Sequence, residues 1–367
     1  MRNRGSGITR FVLVGLVLTV LAACGTATQG HGDGDEVAAP TLANVKPLAD
    51  PKTWTGVAHA GLPPVAIDPV TDDPAPKLPV TVTDSQGTKV TVTDTSRILA
   101  LDIYGTLAQT VFELGLGDSV VGRDLSTQFP EARDLPMVTS DKGHDLIAEQ
   151  ILATNPSVIL TDTSLGPWDV ILQMRDSGIP VVVVDSKRSL DNLASLTEEV
   201  ATALGVPAEG KKLGARIQAD AKATAAQIAE VAPTALEDKL RMVFLYVRGQ
   251  AGVYYMFGEG SGADSLIETL GGYDVAAEID WSGMKPVTDE AIVAAQPDLI
   301  LMMTKGLESV GGIDGLLDRI PAIANTPAGQ NKRIVDMVDT GILSYGPRTA
   351  EVLNSLAVAV YAPEALQ

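Results

Sequence analysis

One twelve-residue pattern occurs twice in this chain, and that limits what the chain can fold into. Glu149-Gln-Ile-Leu-Ala-Thr-Asn-Pro156-Ser-Val-Ile-Leu160 returns as Glu290-Ala-Ile-Val-Ala-Ala-Gln-Pro297-Asp-Leu-Ile-Leu301, with Glu, Ile, Ala, Pro, Ile and Leu at the same offsets. Each copy reads as a helix, a proline-containing turn and a buried strand, so the chain carries two related helix–strand units. The glutamate just after the start of each helix is retained in both copies. A duplication alone does not require that, whereas a two-fold partner with a basic residue facing each copy would.

The sequence around the copies repeats the same alternation. Val80–Asp84 and Lys89–Thr93 are two alternating runs about the turn Ser85-Gln-Gly87, a hairpin. Strands are then expected at 97–101, 119–122, 157–161 and 181–184, with helices near 104–114, 146–154, 168–177 and 190–204. One long run of helix formers from Ala208 to about Val231 reads as a single helix joining two lobes. Strands at 241–247, 253–257, 299–302 and 333–337 and helices near 263–270, 289–295 and 348–360 make the second lobe. The expected fold is α/β, with an N-terminal lobe over 80–207, a connecting helix over 208–232 and a C-terminal lobe over 233–367.

The beginning of the chain is of another kind. Arg2, Arg4 and Arg10 precede an uncharged apolar run from Phe11 to Ala23, the layout of an export signal over 1–23. Leu21-Ala-Ala-Cys24 follows as a lipoprotein box, with Cys24, the only cysteine, as the acylated N-terminus after cleavage. Removing the signal takes away three arginines and moves the net charge from −19 to −22, which makes nucleic acid a poor partner. Residues 24–79, rich in Gly, Pro, Ala, Thr and Asp, read as a solvated tether, with Trp54 and His59 inside it.

With His31 and His59 assigned to the tether, His144 is the one imidazole left for the folded body. It stands in Lys142-Gly-His-Asp145, just before an expected helix whose N-terminus would hold the ring neutral and fit to ligate a metal. Tyr246 lies near the end of the first strand of the second lobe, and alternation puts Phe244, Tyr246 and Arg248 on one face. Ligands of open α/β sheets bind beyond the carboxyl ends of the strands, so Arg248 is placed to donate to the phenol oxygen and favour tyrosinate, a ligand of ferric iron. Taken locally, a half-buried tyrosine with a surface arginine reads equally well.

Gly258-Glu-Gly260-Ser-Gly262 fits a relaxed dinucleotide fingerprint, yet a tight strand-to-helix turn explains it better in an exported chain. The sequence has no Gly-x-Ser-x-Gly elbow and no His-Glu-x-x-His motif, and with one body histidine and no body thiol most hydrolase schemes lack parts. The reading is a binding protein and not an enzyme.

Several motifs together resemble a known family. The lipoprotein box, the hairpin followed by Arg97-Ile-Leu-Ala-Leu-Asp102, Leu114-Gly-Leu-Gly-Asp-Ser-Val-Val-Gly122-Arg-Asp124, the Glu–Pro repeats and the joining helix resemble substrate-binding proteins of siderophore, cobalamin and haem ABC importers. More narrowly, Phe244-Leu-Tyr-Val-Arg-Gly249, Gly143-His144, Gly306–Gly312 and Tyr345-Gly-Pro-Arg348 resemble haemin-binding lipoproteins of the HmuT type. The resemblance spans roughly 80–361. It implies a class III periplasmic-binding-protein fold, with two lobes on a nearly rigid helix and ferric haem in the cleft.

On this resemblance His144 and Tyr246 bind the iron from opposite lobes and Arg248 hydrogen-bonds the tyrosinate. Met302 or Met303 approaches the iron, and Arg123 and Arg348 meet propionates or the cleft rim. Glu149 and Glu290 form salt bridges to the two permease subunits. A monomer, lipid-anchored through Cys24 on the extracytoplasmic face of a bacterial cell membrane, delivers haem to a permease and its ATPase. The other ligands of this fold are a ferric siderophore or a corrinoid.

Overall fold

The computed structural model describes residues 37–140 and 143–366, so the signal segment, Cys24 and His31 lie outside the described residues. The chain first forms a short strand, β1 (Val57–Ala60), and then the hairpin of β2 (Val80–Thr83) and β3 (Lys89–Val92). The N-terminal lobe follows as β4 (Ile98–Leu101), α1 (Thr106–Val111), α2 (Ala148–Ala153), β5 (Val158–Thr161), α3 (Trp168–Asp176), β6 (Val181–Val183) and α4 (Leu193–Ala203). Helix α5 (Pro207–Val231) leads to the second lobe. Its first half runs β7 (Arg241–Arg248), β8 (Val253–Phe257), α6 (Ala263–Thr269), β9 (Tyr273–Asp274), α7 (Val275–Glu278) and β10 (Met284–Pro286). Its second half runs α8 (Asp289–Ala295), β11 (Leu299–Met303), α9 (Thr304–Ser309), α10 (Gly312–Arg319), α11 (Pro327–Gln330), β12 (Ile334–Met337) and α12 (Thr349–Tyr361).

In the first lobe β4, β5 and β6 form a parallel sheet with β5 central. In the second the order is β1-β12-β11-β7-β8-β10, with β9 paired to the start of β7. Strands β1, β12, β11 and β7 are parallel, while β8 and β10 close one side antiparallel. These are the two α/β lobes on one long helix that the sequence implies.

The duplication is geometric as well as sequential. Asn155 and Gln296 both adopt left-handed backbone, at φ 48° and 43°, before the prolines of the two copies. Arg97 and Arg241 stand at the entrances of β4 and β7, and their Nε atoms donate to the carbonyls of Asn155 (2.6 Å) and Gln296 (3.1 Å). The backbone N–H of each arginine goes to the side chain after the proline, Ser157 Oγ in one lobe and Asp298 Oδ2 in the other. α2 therefore corresponds to α8 and β5 to β11.

Helix α5 opens on Pro207 at its first turn, where the missing N–H costs nothing, and runs for 25 residues. At 1.5 Å per residue that is about 37 Å, enough to pass from one lobe to the other without a break. Gly210 lies where α5 meets α4: a Cβ there would come 2.3 Å from the Ala201 Cβ, so glycine is required for the close approach.

Two expected elements differ. The strand at 119–122 reduces to one parallel bridge between Val120 and Ile98, because a 3₁₀ turn over Gly117–Ser119 delivers the chain to β4 for a single contact. The expected helix start at Leu146 moves to Ala148, because the N–H groups of Leu146 and Ile147 pair with the Gly166 and Val138 carbonyls in extended backbone.

The larger correction concerns the tether. Residues 37–79 are part of the packed body. Leu42 is buried at 1% exposure, Ala58 and Ala60 fill the space beside β12, and β1 adds a parallel edge strand to the second lobe. Trp54 covers the guanidinium of Arg333, 4.3 Å from ring centroid to Cζ. The segment then crosses to the first lobe: Arg348 holds the Pro63 carbonyl, Arg216 pairs with Asp68 and Glu113, and Lys77 N–H bonds the Gly205 carbonyl. It is a strap that links the lobes a second time. Its composition hid this because scattered single contacts hold it, with neither helical nor alternating apolar period.

Candidate functional site

The carboxyl ends of the parallel strands in the second lobe bring together Tyr246 and Arg248 from β7, Met303 from the end of β11, Lys305 just after it, and Asp339 after β12. This is where an open α/β sheet offers a ligand site. The Arg248 guanidinium lies over the Tyr246 ring, Cζ 4.5 Å from the centroid, and its Nη2 donates to Asp339 Oδ2 at 2.7 Å. Asp339 also accepts the Lys305 N–H at 3.1 Å, which pins α9 to the same corner. Arg248 therefore gives its hydrogen bonds to Asp339 and the Val247 carbonyl and meets the tyrosine through the ring face, whereas the sequence reading expected a bond to the phenol oxygen.

His144 comes from the first lobe. Its Nδ1 is buried and has no hydrogen-bond partner among the described residues. Burial holds the imidazole below its ordinary pKa, and the charges of Arg248 and Lys305 push the same way, while Asp339 and Asp145 oppose them. The ring is thus neutral at pH 7 and is close enough to the second lobe to feel the corner that carries Tyr246. The cause is not a helix N-terminus, since α2 begins only at Ala148.

Of the other expected site residues, Met303 faces the cleft corner, with its sulfur 4.0 Å from Arg248 Nη2. Met302 does not: alternation along β11 turns it into the core with Val243, Leu245 and Ile300, where it is fully buried. Arg123 spends its guanidinium on the carbonyls of Arg133 and Asp124. Arg348 lines a cavity of about 90 Å³ between the lobes, together with Tyr104, Gln109 and Phe129 from the first lobe and Leu62 and Pro64 from the strap. Glu149 and Glu290 are both exposed and make no ion pair among the described residues.

The glycine turn at 258–262 is structural. Asp264 accepts the N–H groups of Gly260 and Gly262, which leaves those donors committed, and a Cβ on Gly258 would fall 2.0 Å from the Trp281 carbonyl oxygen. His59, expected in solvent, sits on β1 with Nδ1 2.8 Å from Asp336 Oδ2, so the folded body contains a second imidazole. Asp336 also accepts from the Thr304 hydroxyl at 2.7 Å.

The sequence reading missed a buried acidic cluster beneath the first lobe's side of the cleft. Asp102 accepts from the N–H groups of Thr106 and Leu107, Asp124 from Asp102, Ser126 and Thr127, and Asp162 from Ser164 and, at 2.5 Å, from Arg188. Burial first, then Asp162 and Asp124, raises the Asp102 carboxyl to about 8, and burial raises Asp124 to about 6. Burial lifts the Tyr104 phenol to about 12, and Tyr104 is near enough to Asp162, Asp102 and Tyr246 to feel the charge of each.

Because the folded protein holds these protons more tightly than the unfolded chain, stability falls as pH rises from about 4 through 8. The slope approaches about 1.4 kcal/mol per pH unit for each retained proton. Asp102→Asn, which removes the titrating carboxyl and keeps one acceptor oxygen, for the Leu107 N–H, is expected to flatten that slope in urea melts taken between pH 5 and 8. An unchanged slope would remove Asp102 as its source.

Residues 103–339 match the family described as Periplasmic binding protein. The chain belongs to that family. The solved structure of the haem-binding protein HmuT superposes with a TM-score of 0.79 at 41% identity, covering 86% of this chain and 100% of that one. HmuT has been solved without substitution and also as alanine variants at one histidine, one tyrosine and the arginine two residues after that tyrosine. The substrate-binding lipoprotein YvrC of Bacillus subtilis, described as an uncharacterized ABC transporter protein, is 26% identical, covering 77% of this chain and 86% of its own length. The cobalamin-binding protein of Halobacterium salinarum is 25% identical, with 84% and 81% covered. The chain is a substrate-binding protein of an ABC transporter, structurally close to HmuT, and its family and neighbours are binding proteins and not enzymes.

Proposed function

We propose that this protein captures ferric haem in the cleft and delivers it to a haem ABC permease and its ATPase. The observation that carries the reading is a half-buried, neutral imidazole from one lobe, its Nδ1 without a partner among the described residues, that feels the charge of Arg248 in the other lobe, where Arg248 lies over the Tyr246 ring. Histidine, tyrosine and the arginine two residues after it are also the residue types altered in the HmuT variants.

His144 and Tyr246 take the two axial positions of the iron, oxygen and imidazole donors both being known for haem. Arg248, held by Asp339, supplies positive charge over the tyrosine ring, and Met303 packs against the same guanidinium. Arg348 and Lys305 lie where propionates leave the cleft, and Arg123 is the further basic side chain of the rim. Two links between the lobes, α5 and the strap, keep closure small, so release requires the permease to part the lobes. The protein acts as a monomer, anchored through Cys24 to the extracytoplasmic face of the membrane, with Glu149 and Glu290 on permease arginines.

Titration of the chain from Gly25 onward with haemin is expected to give one saturable Soret band that a tenfold excess of cyanocobalamin or a ferric hydroxamate leaves unchanged. The second reading is a corrinoid or ferric-siderophore cargo, favoured by the cobalamin-binding relative. Displacement of haemin by either competitor, or a flat haemin titration, would put it first.

A further inference from the structure

We infer that each lobe meets the importer through a paired contact, an exposed glutamate and an exposed aliphatic side chain one helical turn later: Glu149 with Leu152, and Glu290 with Val293. The inference rests on the importer reading above and adds the apolar half of the docking surface, for which the partner is a two-fold permease presenting a basic residue beside an apolar recess on each subunit.

The argument comes from the duplication. Single exposed aliphatic residues are ordinary on any surface and need no explanation. Among the described residues, however, only eight large apolar side chains are exposed, and two of them occupy the same offset in the two copies: Leu152 at 40% and Val293 at 44%. On a helix, residues three apart share a face, so each stands directly beside its glutamate, while Ile151 and Ile292 anchor the opposite faces in the two cores. The lobes do not use these side chains themselves, and a polar residue at either position would leave the cores intact. Retention of charge and apolar surface together, once per lobe, matches a partner that repeats the complementary pair by two-fold symmetry. Charge complementarity selects a basic partner, since neither glutamate has an ion pair among the described residues and the chain as a whole is strongly acidic.

The test measures association of the haem-loaded full chain with the source organism's purified permease–ATPase complex in lipid nanodiscs, by interferometry. Leu152→Ser and Val293→Ser are each expected to weaken it about tenfold, and the pair more than either, since each removes a buried aliphatic contact. Leu236→Ser, more exposed at 62% but outside the copies, should leave it unchanged. An unaltered Soret band in every variant shows that each is folded. If Glu149→Gln with Glu290→Gln weakens docking while the serine variants bind as wild type, the apolar contact is overturned and the importer reading stands. If none of the variants weakens docking, both fall. Loss confined to one lobe overturns the two-fold pairing.

Discussion

Tyr246→Ala is expected to lower haemin affinity about a hundredfold, equivalent to about 2.8 kcal/mol, and to shift the Soret band together with the charge-transfer bands. An anionic oxygen donor suits ferric iron better than a neutral nitrogen does, so the tyrosine carries more of the binding than the histidine. His144→Ala is accordingly expected to cost about tenfold, with a Soret shift that leaves the tyrosinate charge-transfer bands in place. The pH profile separates the two. Burial and Arg248 hold His144 below its ordinary pKa, so proton competition for the imidazole begins only on the acid side of the usual histidine range. Wild-type affinity should be flat through the neutral range and fall only on the acid side of the usual histidine range, and His144→Ala should lose the acid limb. Absorption titrations at five pH values suffice. A Soret band that is unmoved in both variants would remove these residues from the iron and with them the haem assignment.

Much of the fold was legible because its elements carry strong local signals. Short runs such as Leu299-Ile-Leu-Met302 are buried on both faces and read as parallel strands without help from the rest of the chain. The joining helix was visible from helix formers alone, and the duplicated segments read as helix, proline-containing turn and strand, although the left-handed backbone of Asn155 and Gln296 at those turns appears only in the structure. What a one-dimensional reading lacks is the direction of a side chain at a strand end. The neighbours Met302 and Met303 look equivalent in sequence, and only the register of β11 against β7 sends one into the core and the other to Arg248.

The same limit hid Asp339 and Tyr104. Asp339 has no motif of its own and acquires a role through a contact across ninety-one positions of sequence with Arg248. The acidic cluster is spread over three loops, at Asp102, Asp124 and Asp162, and each aspartate alone reads as a turn residue. Their convergence raises the carboxyl pKa values and is a property of the folded lobe only. Where sequence reasoning missed, contacts distant along the chain decided the outcome.

The strap yields the second large effect. Trp54→Ala is expected to destabilise the protein by about 3 kcal/mol, combining lost apolar burial with loss of the ring over a desolvated cation. Arg333 makes this position sensitive. It is 1% exposed, has no carboxylate partner, and is held by the Val360 carbonyl at 2.7 Å while Nε and Nη1 have no hydrogen-bond partner among the described residues. Burial pulls even this guanidinium down to about 10, and beside the Val360 carbonyl the Trp54 ring compensates a charge far from water. Urea unfolding followed by far-ultraviolet circular dichroism checks the size of the loss. Trp54→Phe, which keeps a ring over Arg333, should recover about half of it. In an Arg333→Met background the cation is gone, so Trp54→Ala should cost clearly less, and the difference between the two backgrounds isolates the ring–cation coupling. A solvated tether would make the opposite prediction, an unchanged midpoint on Trp54→Ala in either background, and that result would return residues 37–79 to the linker and leave α5 as the single link between the lobes.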